Sequence, residues 1–248
     1  MKTMILNELD FAREVIRTRD LGKSPMFALV CAGRYYAAQG FGEDEIYQKL
    51  RAIASQDGRL NWSSVAEHVL SACKRRSLLE VPYIPVTQSE FSTIQALDGL
   101  QRQRLLFALL TLAKYGNLIK SHNDNWVRYE PRDVFKLANV NVARHKQSLY
   151  INDLMCAGVV QYSDHVDNLD LRVLMLDDAA PAAAAVHDMR NLGFQYMMHI
   201  GLPFFECTSC GVVAKRTAGK QKYCTECAAV INAQKTIERY HAKHRMAC

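Results

Sequence analysis

The sequence predicts a mainly α-helical chain with small β elements, built in several parts and closed by a metal-binding module. Apolar residues recur at helical spacing over residues 1–80 and again from about 101 to 156. Two prolines three apart, Pro82 and Pro85, interrupt that pattern and mark a boundary. Near the C-terminus stand two Cys-x-x-Cys pairs, Cys207/Cys210 and Cys224/Cys227. The expected division is a helical domain at 1–80, a second domain at 89–177, an acidic helical connector at 178–203 and a cysteine module with a basic tail at 204–248.

In the first part, Asn7 is placed to cap a helix running to about Arg19, with Leu9, Ala12 and Ile16 on one face. A second helix starts at Pro25 and stops near Gly40. A third, from Glu43 to Ser55, carries acidic residues in its first turn and buries Ile46, Leu50 and Ile53. The fourth runs from Asn61 with Val65, Val69 and Cys73 inward. It ends in Lys74, Arg75 and Arg76, which read as a solvated cationic cap.

In the second part, Gln101 to Gly116 is a strong helix with Leu105, Leu106, Leu109, Leu112 and Ala113 inward. A short strand at Trp126–Tyr129, a helix led by Pro131, a turn at Asn139–Asn141 and a helix from Val142 to Cys156 follow. Two strands then flank the acidic loop Asp164–Asn168. Helix, strand, helix, turn, helix and hairpin is the order of a winged helix-turn-helix. Ala143, Tyr150, Ile151 and Leu154 are expected to face the core, leaving Arg144, His145, Lys146, Ser148 and Asn152 outward to meet phosphates or base edges. Ten basic and nine acidic residues between 90 and 176 make this part nearly neutral, and Asp164, Asp167 and Asp170 would repel phosphate.

The two cysteine pairs, thirteen residues apart, bring four soft thiolates within reach of one tetrahedral ion, and Gly211 suits the turn of a knuckle. The cofactor this spacing implies is Zn2+. Four protein ligands leave no open position, so the ion would fold the module and would not activate water. His241 and His244 are surplus to a complete site.

From Cys207 onward there are eight Lys or Arg against two Glu, which is the whole excess of the chain's net +6. The cations are Lys215, Arg216, Lys220 and Lys222 between the knuckles, then Lys235, Arg239, Lys243 and Arg245 on an expected helix. Such asymmetry points to a polyanionic partner, nucleic acid first and DNA ahead of RNA, although the zinc–thiolate centre with its formal charge of about −2 offsets part of it. Leu105 to Ala113 is the longest apolar run, short of the roughly 18 residues a membrane span requires. Eight cysteines without a secretory leader suggest a reducing cytoplasm, and Cys31, Cys73 and Cys156 read as small core residues. No phosphate-cradling glycine loop, nucleophile elbow, zinc-protease helix or catalytic carboxylate pair is present in the sequence, which argues against an enzyme.

Arg19 to Pro25 with Arg34-Tyr35-Tyr36, Phe135 to Asn139 with Arg144 to Gly158, and Cys207 to Cys227 together resemble a loosely defined group of bacteriophage and integrative-element proteins. That group combines a helical domain, a winged helix and a zinc ribbon. Residues 25–77 are also similar to the small helical domain that follows the catalytic part of some mobile-element primases, without the primase motifs. The resemblance implies a nucleic-acid context in a bacterial host cell and no particular reaction. Two functions are therefore expected of such a chain. One is a non-enzymatic, zinc-stabilised nucleic-acid-binding protein in replication or transcription control. The alternative is an adaptor or inhibitor that docks on a host nucleoprotein complex, such as RNA polymerase or a CRISPR-type defence nuclease.

Overall fold

The structure is a computed structural model describing residues 3–58, 60–163 and 170–245, with side chains to residue 242. Among the described residues it is mainly helical with three small sheets. The chain forms two compact units, Met1–Ile84 with Tyr115–Asn123, and Pro85–Lys114 with Asp124–Cys248. Among the described residues, no helix is long and apolar enough to cross a membrane.

The first unit packs α1 (Glu8–Thr18), α2 (Pro25–Ala38), α3 (Glu43–Ala54) and α4 (Trp62–Lys74). The Asn7 side chain accepts from the Asp10 N–H at 3.0 Å, so the expected N-cap forms. Apolar residues at three- and four-residue spacing meet in one core: Val15 from α1, Leu29 from α2, Ile46, Leu50 and Ile53 from α3, and Val69 from α4. α2 is buried on most of its surface because it lies against α1, α3 and α4. Burial pushes the Cys31 thiol up to about 12 and the Cys73 thiol to about 11, so neither is a thiolate at neutral pH.

Of the cations that end α4, Lys74 and Arg75 are exposed as a solvated cap would be, but Arg76 turns inward. Arg76 grips the fully buried Glu8 with both terminal nitrogens, at 2.5 and 2.8 Å, and Arg34 reaches the same carboxylate at 3.4 Å. The Leu79 N–H also donates to Glu8 at 3.0 Å, so the strip after α4 is fastened back onto the start of α1. Lys74 is spent on Glu43 at 2.7 Å. Periodicity placed Arg76 at a helix end but gave no sign that a carboxylate 68 positions earlier is inside the core.

β1 (Ile84–Thr87) starts at the last residue of the first unit's main segment and leads directly into α5 (Gln88–Gln95), a helix of the second unit that the sequence reading missed. Its signal is Thr87-Gln-Ser-Glu90, a capping box in which the Glu90 carboxylate accepts from the Thr87 N–H at 2.8 Å. Glu90 is fully buried and is held by Lys114 at 2.9 Å and the Asp177 N–H at 2.9 Å. α6 (Leu100–Ile119) buries Leu105, Leu106, Leu109, Leu112 and Ala113 as its spacing predicts. β2 (Trp126–Val127), α7 (Pro131–Leu137), α8 (Arg144–Cys156), β3 (Val160–Tyr162) and β4 (Leu171–Val173) follow. Their strands form one antiparallel sheet in the order β2-β4-β3, with Trp126 and Gln161 both opposite Arg172. The loop residues Asp164 and Asp167 lie outside the described residues; Asp170 lies 3.3 Å from Arg128.

α8 buries Ile151 and Leu154 and half-buries Tyr150, but Ala143 is exposed, because it is the extended N-cap residue and not part of the helical face. The segment read as a helical connector begins instead with β5 (Ala182–Val186), which pairs with β1. Only Leu192–His199 is helical there, as α9. Gly193 of α9 lies so close to α7 that a Cβ would stand 1.8 Å from the Ala138 carbonyl oxygen. Tyr196, fully buried, packs against Phe91 and Phe107 with ring centroids 5.7 and 5.5 Å away, and its hydroxyl donates to Gln103 at 2.9 Å.

Replacing Glu8 by Ala leaves two guanidinium groups without their buried partner, and should cost the first unit about 3–5 kcal/mol. The check is urea unfolding followed by Trp62 fluorescence in a Trp126→Phe background. A loss below 1 kcal/mol would show that the carboxylate contributes little.

Candidate metal centre and basic surface

The module that follows α9 is a hairpin of β6 (Phe204–Glu206) and β7 (Val213–Lys215), then a loop, then α10 (Thr225–Arg245). β6 and β7 pair antiparallel with Phe205 opposite Ala214. Cys207 and Cys210 lie in the turn of this hairpin. Gly211 occupies it at φ +72, the left-handed region that favours glycine, with its N–H donating to the Cys207 carbonyl at 2.8 Å. Cys224 and Cys227 sit at the start of α10, where the Ala228 N–H donates to the Cys224 carbonyl at 2.9 Å. The Thr208 N–H donates to the Lys222 carbonyl at 3.0 Å and stitches one knuckle to the other.

All four Sγ atoms lie within 4.8 Å of one another, and Cys210 Sγ is 3.8 Å from Cys224 Sγ. A tetrahedron with metal–sulfur bonds of about 2.3 Å has edges of about 3.8 Å, so this spacing fits a metal and is far too long for a disulfide. The Cys224 N–H donates to Cys207 Sγ at 3.3 Å and the Cys227 N–H to Cys224 Sγ at 3.5 Å. Burial alone would raise the Cys207 thiol, yet the N–H groups of Cys224, Cys210 and Ser209 outweigh it and bring Cys207 down to about 6. Burial pushes its neighbour Cys210 up to about 12. Four sulfurs this close cannot all carry negative charge unless a cation lies among them.

The module is seated on α9. Phe204 packs on Phe194 with ring centroids 4.9 Å apart. Arg190, paired with Asp188, donates to the Cys210 carbonyl at 2.6 Å, and the Asn191 side chain donates to the Val213 carbonyl at 3.1 Å. Asn191 in turn accepts from Asn139 at 3.1 Å, in the turn between α7 and α8. These supporting residues were not found from the sequence. Asn139 and Asn191 both have positive φ, at 53 and 49, and an isolated asparagine does not announce that conformation.

The structure gathers the four cysteines into one cluster and leaves the predicted cations spread over the surface of the same unit. Lys215, Lys220, Lys222, Lys235 and Arg239 are exposed. Arg216 is half-buried, with its guanidinium 5.1 Å over the Phe205 ring and donating to the Gly219 carbonyl at 3.2 Å, so part of its role is to hold the loop. The side chains of Lys243 and Arg245 lie outside the described residues. Arg144, His145 and Lys146 are exposed in the first turn of α8, with Ser148 and Asn152 beyond them. Leu149, which the sequence reading left unassigned, is 59% exposed on that helix.

Protein-family models, curated proteins and solved structures were compared with the chain, and none matches. The cysteine cluster therefore rests on its own geometry.

Changing Cys224 to Ser removes a sulfur that completes the cluster and accepts an N–H, and should abolish stoichiometric metal uptake and unfold residues 204–227. The first unit should keep its own unfolding transition. Elemental analysis, with cobalt charge-transfer absorption as a second readout, decides between this outcome and a variant that retains one metal per chain.

Proposed function

We propose that the chain is a non-enzymatic, zinc-stabilised nucleic-acid-binding protein of a phage or mobile element, working in the cytoplasm of a bacterial host in replication or transcription control. The observation that carries the reading is the surface of the cysteine module. The segment holding the chain's whole net charge also holds four cysteine sulfurs at tetrahedral spacing, and Lys215, Lys220, Lys222, Lys235 and Arg239 stand exposed on that same segment. Zn2+ suits the site because soft thiolates in a closed set of four favour it over hard cations. When bound, the ion holds the two knuckles together, and the lysines presented on the module attract phosphates.

In this reading α6, β2, α7, α8 and the β3–β4 hairpin are a winged helix-turn-helix, supported by their order and by the sheet order β2-β4-β3. α8 is then the helix that enters a groove, with Arg144, His145 and Lys146 at its N-terminal end. Phosphate contacts from the tail supply affinity, and α8 supplies orientation or sequence preference. The exposed Leu149 favours the second reading, in which α8 docks on a protein of a host nucleoprotein machine, because an aliphatic side chain gives little to a phosphate or to most base edges.

Three salt titrations test the assignment on duplex and single-stranded probes. Log affinity should fall with log salt by about 0.9 for each phosphate neutralised on duplex DNA. Replacing Lys220, Lys222, Lys235 and Arg239 together by Ala should remove most of the binding and most of that slope. Changing Arg144 and Lys146 to Ala should instead erode discrimination between sites by roughly 1–3 kcal/mol. Absence of salt-sensitive binding to every probe would leave the protein-docking reading in its place.

A further inference from the structure

Between the two knuckles the chain holds Lys215, Arg216, Lys220 and Lys222 and no Asp or Glu; the nearest carboxylates are Glu206, before the first knuckle, and Glu226, within the second. Tyr223 closes this loop and is 37% exposed, although a tyrosine ring gains from burial. Its backbone is braced on both sides. The Lys222 carbonyl accepts from the N–H and the hydroxyl of Thr208, at 3.0 and 3.2 Å. The Gln221 side chain accepts from the Thr217 N–H at 2.8 Å and donates to the Tyr223 carbonyl at 3.2 Å. One amide thus ties the residue after Arg216 to Tyr223, and the ring stands at the surface on a fixed backbone among cations.

A phosphate gives such a ring nothing. In a duplex the base faces are stacked inside and only edges reach the grooves, so a ring on a surface loop gains little there. In an unpaired strand the faces are open, and cations along the backbone with an aromatic ring among them are the combination that holds such strands. Arg216 adds a second flat group, because its guanidinium lies 5.1 Å over the Phe205 ring while the residue stays partly exposed. The same loop is poorly equipped to read base edges. Gln221 carries the one side-chain amide among residues 211–223, and it is spent on Thr217 and Tyr223; Arg216 gives one of its donors to the Gly219 carbonyl.

We infer, building on the reading of the module as a phosphate-binding surface, that the nucleic acid it takes is a single strand, one of whose unpaired bases stacks on Tyr223 while Lys215, Lys220 and Lys222 neutralise its phosphates. Every base has a stackable face, so the contact is tolerant of sequence. Unpaired DNA and unpaired RNA share this chemistry. α8, with its own cations, is a separate contact and keeps its groove.

Fluorescence anisotropy of oligo-dT, oligo-rU and a duplex, titrated with the full-length, zinc-loaded protein over a salt series, tests the inference. Both single strands should bind, and the tighter of the two tells DNA from RNA. Tyr223→Leu should weaken them by about fivefold or more, with metal content, salt slope and duplex affinity unchanged, whereas Tyr223→Phe, which keeps the ring, should bind as the parent does. On the parent protein, a strand carrying 5-iodouracil should cross-link at Tyr223 on irradiation, a readout that needs no folded variant. Three results overturn the inference and leave phosphate binding by the module in place: binding to the duplex alone, a metal-loaded Tyr223→Leu variant that holds single strands as the parent does, or cross-links that miss Tyr223. Absence of salt-sensitive binding to every probe would remove the phosphate-binding reading itself, and the single-strand contact with it.

Discussion

Four sulfur atoms within 4.8 Å of one another are the constraint around which the C-terminal part of this protein is arranged. Gathering thiolates costs several kcal/mol of mutual repulsion unless a cation lies among them. The local structure lowers that cost without cancelling it. N–H groups from Cys224 and Cys227 donate to sulfur, and Gly211 permits the turn that carries Cys207 and Cys210. α10 begins at the second knuckle, so its positive N-terminal end lies beside the sulfurs. The seat is equally specific: the Arg190 and Asn191 side chains hold carbonyls of Cys210 and Val213, and Asn139 continues the chain of contacts to the α7–α8 turn.

This arrangement joins two features that would otherwise be unrelated, a four-cysteine cluster able to hold a metal and a concentration of positive charge. A segment with eight Lys or Arg and few large apolar residues cannot build a core large enough to fix its own shape. A metal held by the four cysteines would supply the missing organisation through a few strong bonds. A metal so enclosed serves shape and not reaction chemistry.

Much of this was legible in the sequence because the signals were local. Cys-x-x-Cys spacing placed the cluster, three- and four-residue apolar spacing placed Ile46, Leu50 and Ile53 in α3, and Asn7 announced its helix. What was not legible depends on partners distant in sequence. Arg76 looked like a helix-end cation until Glu8 was found buried 68 positions earlier. β5 was hidden in an alanine-rich stretch, since alanine carries little strand preference and its pairing with β1 is set by the surrounding fold. α5 is different in kind, because the Thr87-x-x-Glu90 capping box was present in the sequence and was overlooked. For the site itself, the ligands could be read and their supports could not.

The central claim is that metal-dependent folding of the cysteine module presents the cations that bind nucleic acid. Fluorescence anisotropy of a labelled duplex and a labelled single strand, recorded on the full-length protein before chelation, after it and after zinc is restored, tests this most directly. The account predicts that salt-sensitive binding falls by at least tenfold when the metal is removed and returns on adding about one equivalent of zinc per chain. Equal affinity with and without metal would contradict it, because the basic residues would then act as an unstructured charged tail.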